Sequence, residues 1–425
     1  MTVLTAIGDP RREAELAAGL HDVDLGVTVV RRCVDLADLL AAATAGLAEA
    51  VLLSADLRRL DRSAVQRLRA AGLAVVALAA DDLPTRSRLE RLGIDAVVAD
   101  GSPAKGVAAA VVAAVGGRRA LSSDADPPYP GEPTVVEDPE AAAGTVIAVW
   151  GPAGAPGRSV VAVNLAAELA GLGHPTLCVD LDTYGASMAQ LVGLFDEGSG
   201  VAAACRAANL GSLDLATLRR LAVEVRPRLR MLTGITGSHR WHELRSASLD
   251  VLLDRARRAF RYVVIDVGFC VEQDEELSYD TVAPRRNGAA VDVLAAADLL
   301  VAVAAADPVG IARFVRSLAD LPQPPSGRRS ITVINRVRRA AIGRGDPAQQ
   351  IALALGRYAS IDDALLIPDD PATADTAVAA GRTWPEAAPS SPARLAVREL
   401  AQRVAGVATA ARGPRRRARL LQVRG

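Results

Sequence analysis

The sequence is poor in aromatic residues, and Lys105 is its single lysine. Aromatic residues make up only 3% of the chain while hydrophobic residues make up 50%, so any core must be built from Val, Leu, Ile and Ala. The 49 basic residues, otherwise all arginine, are balanced by 49 acidic ones. A balanced net charge gives no reason to expect a protein that coats nucleic acid or binds strongly acidic partners.

Cysteines and long apolar runs are also scarce. The four cysteines stand far apart without a CxxC pair, at Cys33, Cys178, Cys205 and Cys270. This spacing argues against a disulfide framework and predicts reduced side chains in a cytoplasmic protein. No run reaches the roughly 18 apolar residues of a membrane span; the closest, over 291–307, is interrupted by Asp292 and Asp298. The first residues lack a basic region followed by a long apolar stretch, so no signal peptide is expected.

The chain of 425 residues divides by pattern into four parts. In residues 1–116, five short β-branched runs alternate with segments of helical spacing, which predicts a flavodoxin-like α/β domain with a parallel sheet. Residues 117–144 contain several prolines and little periodicity, and they are predicted to be a linker. The β/α alternation resumes over 145–411 and predicts a second, doubly wound and mostly parallel α/β domain. Residues 412–425 form a basic tail.

The first domain resembles a response-regulator receiver, mainly in its pattern of strands and helices. A receiver that accepts a phosphoryl group has acids at the end of its first strand, an Asp after its third strand and a Lys after its fifth. Asp9 follows the first predicted strand, and Asp56 lies two residues past Ser54, where the third run ends. Lys105 stands well downstream of the fifth run. We therefore expect a pseudo-receiver that binds partners or sets location; Asp56 is either a phospho-acceptor or a solvated residue that starts the next helix.

The beginning of the second domain predicts a phosphate-binding turn. A strand of apolar residues ends at Trp150, a loop of small residues follows over 151–157, and Arg158 and Ser159 open a helix. In such a P-loop, backbone N–H groups curl around phosphate oxygens at a helix N-terminus, where the helix dipole favours negative charge. The basic side chain reaches the β- and γ-phosphates, and the hydroxyl ligates Mg²⁺. A glycine-rich strand–helix turn without a ligand is the alternative interpretation.

This turn is similar to the deviant Walker A motif of the MinD/ParA ATPases, which reads G-K-G-G-x-G-K-[ST]. Gly154, Gly157 and Ser159 match the motif. The chain departs from it at four positions, which are Pro152 for Gly, Ala153 for the signature Lys, Ala155 for Gly and Arg158 for the P-loop Lys. The resemblance implies that ATP is bound by the loop and the start of its helix, at Gly154, Ala155, Pro156, Gly157, Arg158, Ser159 and Val160.

The departures weaken the expected chemistry. Arg158 keeps the positive charge but presents a planar fork where a compact ammonium is expected. Ala155 is strained if the loop needs a positive φ, and Pro156 removes a backbone donor. Ala153 replaces the Lys that, in the family, reaches across a dimer interface to the partner's nucleotide. ATP binding is therefore expected, while hydrolysis is expected to be slow or lost.

Two further strands deliver carboxylates. In TLCVDLD, Asp180 and Asp182 project from the same face, because strand side chains repeat every second residue. The resemblance implies that Asp182 positions or activates the attacking water, as a catalytic residue together with Arg158, and that Asp180 lies near the Mg²⁺ shell. In RYVVIDVGF, Asp266 resembles a Walker B carboxylate that holds Mg²⁺. Solvated acids at strand ends are the alternative interpretation.

The later motifs are predicted to hold the base. Asn335 and Arg336 end a late strand, where family members use Asn to hydrogen-bond the adenine edge. Pro368 and Asp369 are expected to pack beside the base. Gly268 stands where the family's D-x-P-x-G pattern has Pro, and Gly185 fits the switch turn that follows Asp182. The segment HRWHE over 239–243 could in principle bind zinc, but no third cluster supports that alternative.

A receiver-like domain ahead of a MinD-type ATPase resembles the CpaE-like proteins of Flp/Tad pilus assembly, with septum-site-determining proteins as relatives. The resemblance implies an ATP-dependent homodimer that binds a membrane, a DNA surface or a polar landmark. Its partners would belong to a pilus, secretion or division machine, and its location would be cytoplasmic, or peripheral at the membrane or pole. Two alternatives stay open. One is a degenerate scaffold without hydrolysis, and the weaker one is a DNA-associated partitioning ATPase that uses the arginines of the tail.

Overall fold

The structure, a computed structural model, describes residues 1–21, 25–121, 144–154, 157–194, 198–272, 285–322, 328–338 and 345–406. The expected linker beyond residue 121, the P-loop residues Ala155 and Pro156, and the predicted basic tail lie outside the described residues. Within the described part, the strands form two separate sheets, one built from the first hundred residues and one built from residues after 144. Both are α/β assemblies, as the sequence predicts.

The first sheet has five parallel strands in the order β2-β1-β3-β4-β5. Its strands are β1 Thr2–Ala6, β2 Thr28–Arg32, β3 Ala50–Ser54, β4 Ala74–Ala79 and β5 Ala96–Ala99. The helices between and after them are α1 Pro10–Leu20, α2 Leu36–Ala43, α3 Arg62–Ala70, α4 Leu83–Leu92 and α5 Ala104–Leu121. The first four helices begin after an aspartate that accepts a backbone N–H, which explains where they start. These caps are Asp9, Asp35, Asp61 and Asp82.

Helix α5 continues beyond the predicted end of the first domain at residue 116. The glycines at 116 and 117 favoured a linker, yet the helix runs on to Leu121. Arg118 anchors this last part, because its guanidinium donates hydrogen bonds to the carbonyl oxygens of Leu73 and Arg69. The tertiary contact therefore outweighs the low helix propensity of glycine at this place.

The second sheet has eight strands in the order β13-β12-β11-β6-β10-β7-β9-β8. All paired neighbours run parallel except β8, which is antiparallel to β9. The strands are β6 Thr145–Trp150, β7 Thr176–Leu181, β8 Val223–Arg226, β9 Leu229–Leu232, β10 Tyr262–Val267, β11 Leu299–Ala305, β12 Arg329–Val337 and β13 Ala364–Pro368. Strand β8 was not predicted, because its sequence VEVR is only four residues long and follows directly on a segment of helical spacing.

Helices cover both faces of the second sheet. They are α6 Arg158–Gly171, α7 Met188–Leu191, α8 Gly200–Asn209, α9 Leu215–Leu221, α10 Ser246–Ala259, α11 Gly288–Ala296, α12 Pro308–Ser317, α13 Pro347–Ala359, α14 Pro371–Ala380, α15 Trp384–Ala387 and α16 Pro392–Val404. Two apolar clusters, one on each side of the sheet, bury the strands from both faces. This explains why β6, β10 and β11 are nearly continuous apolar runs in the sequence.

The strand order places β6 at the point where the chain changes direction across the sheet. Strand β6 lies between β10 and β11, and the chain leaves it toward β7 on one side and later reaches β11 on the other. Ligands of open α/β sheets bind outside the carboxyl ends of the strands at such a point. The loop after Trp150 is therefore the place where this fold favours a binding site.

The two sheet units touch through polar contacts. Asn209, at the end of α8, donates to the carboxylate of Asp61 at 2.7 Å and accepts the N–H of Ser63 at 3.1 Å. Arg245 donates to the hydroxyl of Ser63 at 2.9 Å. Helix α3 of the first unit thus packs at the ends of α8 and α10 of the second. In the part of the chain that the structure describes, no helix is both long enough and apolar enough to cross a bilayer.

Candidate functional site

The loop between β6 and α6 needs two glycines. Gly154 has a φ of 76° and Gly157 a φ of 92°, both in the left-handed region that favours glycine. A Cβ atom on Gly157 would also lie 2.1 Å from Nδ2 of Asn335, which leaves no room for a side chain. Gly157 is the N-cap of the 14-residue helix α6, so it has no side chain to bind the first N–H groups of that helix. This end of α6 can therefore offer its N–H groups and dipole to an anion.

Arg158 lies between two acidic side chains. Its Nε donates to Oδ1 of Asp266 at 3.0 Å, and its Nη2 donates to Oδ2 of Asp182 at 2.5 Å. The three side chains are 11%, 0% and 7% exposed, in the order Arg158, Asp266 and Asp182. The guanidinium thus binds the two carboxylates that the sequence assigned to the metal and to the attacking water. Its Nη1 also lies 3.4 Å from the carbonyl oxygen of Gly151 at the start of the loop.

Asp266 is fully buried at the end of β10. Burial raises the pKa of Asp266, while the Arg158 guanidinium and the Ser159 hydroxyl that faces the carboxyl group oppose the rise. Among the described residues, no hydrogen bond of good geometry reaches its Oδ2 atom. A buried oxygen without a partner beside a hydroxyl group is a position that a cation or an ordered water can satisfy.

Asp180 has a different environment from the one expected. Its Oδ2 accepts the N–H groups of Ser187 and Met188, both at 2.9 Å, and its Oδ1 accepts the N–H of Asp182 at 3.2 Å. Burial and the nearby Asp266 raise the pKa of Asp180 to about 7. With both oxygens bound to backbone N–H groups, Asp180 holds the loop after β7 in place. Its expected position near the metal stays a prediction that this geometry does not favour.

Asp182 organises the turn that follows β7. Its Oδ1 accepts the N–H groups of Tyr184 at 2.8 Å and Gly185 at 3.2 Å. The Tyr184 hydroxyl donates to the side chain of Asn287 at 2.8 Å, and the Arg286 guanidinium lies 4.1 Å from the centre of the tyrosine ring. The turn after β7 is thereby joined to the segment before α11. No sequence motif indicates the contact between Tyr184 and Asn287, because the two residues are far apart in the chain.

The residues expected to hold a base are only partly brought together. Asn335 is buried at the end of β12 and lies against Gly157, as described above. Arg336 is exposed and has a φ of 58°, where the register of β12 with β13 shifts. Pro368 ends β13 and Asp369 follows it, at the edge of the sheet and three strands away from β6, which is roughly 14 Å at the usual strand spacing. Asp369 forms an ion pair with Arg338 at 2.9 Å.

The donor set fits Mg²⁺ bound together with phosphates. No group of three acidic, histidine or cysteine side chains that could hold a metal alone occurs in the described ranges. Magnesium does not need such a cage, because it keeps several waters and is held through one or two carboxylates and substrate phosphates. Ser159 and the free oxygen of Asp266 supply the hydroxyl and carboxylate that such a site requires. Asp182 can contribute to the metal site only after Arg158 releases the Asp182 carboxylate.

Sequence motifs did not indicate Arg313, which also lies at the loop. It stands on α12, and a Cβ atom on Gly154 would lie 2.4 Å from its Nη1 atom. Its guanidinium therefore packs against the backbone of the loop. A single arginine on a helix has no distinctive sequence pattern, and the pairing of β11 with β6 that brings α12 to the loop is seen only in the structure.

The remaining candidate sites do not assemble in the described part of the chain. Asp56 is exposed, and its carboxylate lies near Gly8 and Ser54, while Asp9 accepts the N–H of Arg11 as the cap of α1. Lys105 is exposed on α5. In the HRWHE segment, Arg240 and Arg206 bind the carboxylate of Glu243. Cys33, Cys178 and Cys205 are buried, Cys270 is partly buried, and all four are free, as predicted.

Solved structures of three ATPases are similar to this chain. The ParA family ATPase from Chlorobium tepidum TLS shares 18% sequence identity over 61% of this chain and 99% of its own, with a TM-score of 0.50. The cell division ATPase MinD from Pyrococcus furiosus shares 16% identity over 62% and 100%, with a TM-score of 0.46. The septum site-determining protein MinD from Pyrococcus horikoshii OT3, complexed with Mg-ADP, shares 16% identity over 63% and 99%, with a TM-score of 0.45. No family model matches the sequence, and no curated protein matches it either.

The likeness to the Chlorobium tepidum structure covers nearly all of that ATPase. It confirms the expected α/β fold with a mostly parallel sheet, in which a glycine loop connects the central strand to a helix. This part of the chain therefore has the fold of that ParA family ATPase.

Proposed function

We propose that this protein binds ATP with Mg²⁺ at the carboxyl ends of β6, β7 and β10 and acts as a switch of the MinD/ParA type. One observation carries the proposal. Two acidic side chains that are nearly inaccessible, Asp182 and Asp266, meet the first residues of α6 directly behind a loop of left-handed glycines. Burial of two carboxylates is costly, and such clusters are typical of sites that handle charge.

Each residue has a role that follows from its place. The N–H groups at the start of α6, from Arg158 to Val160, bind phosphate oxygens. Ser159 and Asp266 would hold Mg²⁺, which supplies neutralisation of the phosphate charge when bound. Asp182 is placed to orient a water and accept its proton once Arg158 has moved away. Arg158 then turns from the carboxylates toward the phosphates, so nucleotide binding and the release of Asp182 are one event.

Nucleotide binding by the full chain tests this proposal. Isothermal titration with Mg²⁺ and ATP should show saturable binding, and Asp266→Asn should weaken it more in the presence of Mg²⁺ than without it. Phosphate release should be abolished in Asp182→Ala while ATP binding remains. Asp362→Ala, which changes an exposed acid in the loop before the edge strand β13, is the matched control and should behave as the wild type. Absence of ATP binding by the wild-type chain would refute the proposal.

An ATP-binding scaffold without turnover is the second candidate function. The contact between Arg158 and Asp182 favours it, because the guanidinium occupies the carboxylate oxygen that would have to bind the water. Binding of ATP without phosphate release in the wild type supports this scaffold. Measurable release that disappears in Asp182→Ala supports the switch, so one pair of proteins separates the two functions.

The assembly and the partners are further parts of the proposal. An ATP-dependent homodimer is supported by the fold, and size-exclusion chromatography with light scattering in ADP and in ATP would detect it. A pilus, secretion or division machine is the class of partner that the sequence resemblance implies. A membrane surface is a further candidate, and DNA is the weaker one. Cosedimentation with anionic vesicles and with duplex DNA over a range of salt concentrations compares the two surfaces.

A further inference from the structure

Arg313 brings a second guanidinium to the P-loop. Strand β11 ends at Ala305, and α12 starts at Pro308 after the cap Asp307, which accepts the N–H of Gly310. Because β11 is hydrogen-bonded to β6, the start of α12 lies at the same edge of the sheet as the loop. The close approach of Arg313 to Gly154 follows from this placement.

The site needs a further positively charged side chain to balance the negative charge of a bound nucleotide. Arg158 binds Asp182 and Asp266, so its single positive charge is shared between two carboxylates. A nucleoside triphosphate adds several negative charges at this place. Hydrogen-bond donors and positive charges that are already in position must balance them. The family lysine is absent at Ala153, and no other lysine is near, since Lys105 lies on α5 of the first sheet unit.

Arg313 is available for that role. Its side chain is exposed, and within the described ranges its guanidinium makes no hydrogen bond or ion pair. It can therefore bind phosphate oxygens without breaking a contact, whereas Arg158 must first leave two carboxylates. A planar guanidinium can bind two phosphate oxygens at once, in a charge-assisted and oriented way.

We propose that Arg313 is a phosphate-binding residue of this loop, which contacts the terminal phosphates of the bound nucleotide and supplies the positive charge missing at Ala153. This assignment rests on the function proposed above. It gives the site a phosphate cation from α12 of the same chain, in addition to Arg158 at the start of α6. The predicted consequence is that Arg313 selects nucleotides with two or three phosphates over those with one.

The test compares binding of Mg-ATP, ADP and AMP by full-length variants in isothermal titration. Arg313→Gln should weaken ATP binding by about tenfold to a hundredfold, the usual effect of a lost charge-assisted bond, and leave AMP binding unchanged. Arg313→Lys should retain part of the ATP affinity. The matched control is Arg316→Gln, since Arg316 is exposed on the same helix and bonds to Ala312. Both glutamine variants should keep the thermal midpoint of the wild type without nucleotide.

Each outcome separates this assignment from the broader proposal. Wild-type ATP binding with an unchanged affinity in Arg313→Gln overturns the role of Arg313 alone. Equal losses of ATP and AMP affinity in Arg313→Gln also overturn it, because a terminal-phosphate contact cannot affect AMP in this way. A wild-type chain that binds no nucleotide overturns both this assignment and the proposed function.

Discussion

Replacement of Arg158 by methionine tests the buried charge cluster most directly. Arg158 binds Asp182 at 2.5 Å and Asp266 at 3.0 Å, and all three side chains are almost inaccessible to water. Methionine keeps much of the volume but leaves two buried carboxylates without their cation. Breaking a buried pair in this way costs about 3–5 kcal/mol, so we expect the free energy of unfolding at about pH 8 to fall by that amount.

The loss should depend on pH in a definite direction. Burial raises the pKa of Asp266, and Arg158 opposes this rise, so removal of Arg158 raises the folded-state pKa further. The loss of stability is then fully present above that pKa and shrinks as the pH falls through it, because the folded variant takes up a proton. Adding Asp266→Asn to Arg158→Met should recover part of the loss at about pH 8, because it removes one of the two unpaired charges.

Urea denaturation followed by circular dichroism, at about pH 8 and about pH 5.5, measures these differences. Arg86→Met is the control, because Arg86 and Glu90 form an ion pair in which both side chains are 55% exposed. Such exposed pairs contribute about 0–1 kcal/mol. A loss in Arg158→Met as small as that of the control would show that Arg158 does not bridge the carboxylates. Equal losses at both pH values would contradict the expected pH dependence.

Three further predictions concern single residues. Gly157→Ala should destabilise the protein in thermal melts by at least about 1–2 kcal/mol, because alanine is strained at the left-handed φ of this position. Gly185→Ala is the control and should have little effect, because its Cβ would meet open space. Burial raises the pKa of Asp180 from 3.8 to about 7, so the free energy of unfolding should fall as the pH rises across this interval. Asp180→Asn should flatten this pH dependence, and equal slopes in the wild type and the variant would contradict the prediction. Asn209→Ala should increase hydrogen exchange in α3, because it removes the two hydrogen bonds that Asn209 forms with Asp61 and Ser63. Ser212→Ala is the control and should not increase it.

The strands of both sheets could be predicted well from the sequence. Runs such as TVIAVW and YVVIDV are buried on both faces, so their apolar character is continuous and visible without a structure. Strand β8 could not be predicted, because VEVR forms a strand only through its antiparallel pairing with β9. The extension of α5 past residue 116 was hidden for a related reason, since Arg118 holds it by contacts with residues far away in the chain.

The motifs place the candidate site residues at strand ends, while the contacts of these residues are a property of the folded chain. Asp182 and Asp266 were proposed from their motifs in TLCVDLD and RYVVIDVGF, and the structure then pairs Asp266 in register with Asp180. The direction of Arg158 depends on which carboxylates lie within its reach, and this is a property of the folded chain. The hydrogen bonds of Asp180 to Ser187 and Met188 depend in the same way on the path of a loop.

The central position of β6 has a consequence for how the protein folds. Strand β6 begins at Thr145, but its partners β10 and β11 begin at Tyr262 and Leu299, so its pairing closes very long chain segments. Closure of long segments costs entropy before any contact compensates it, and sheets built in this way form slowly. The loop at Gly154 can take its shape only after these distant strands have paired. A newly made chain would therefore shape this loop late, after β11, the sixth of the eight strands of the second sheet, has been synthesised.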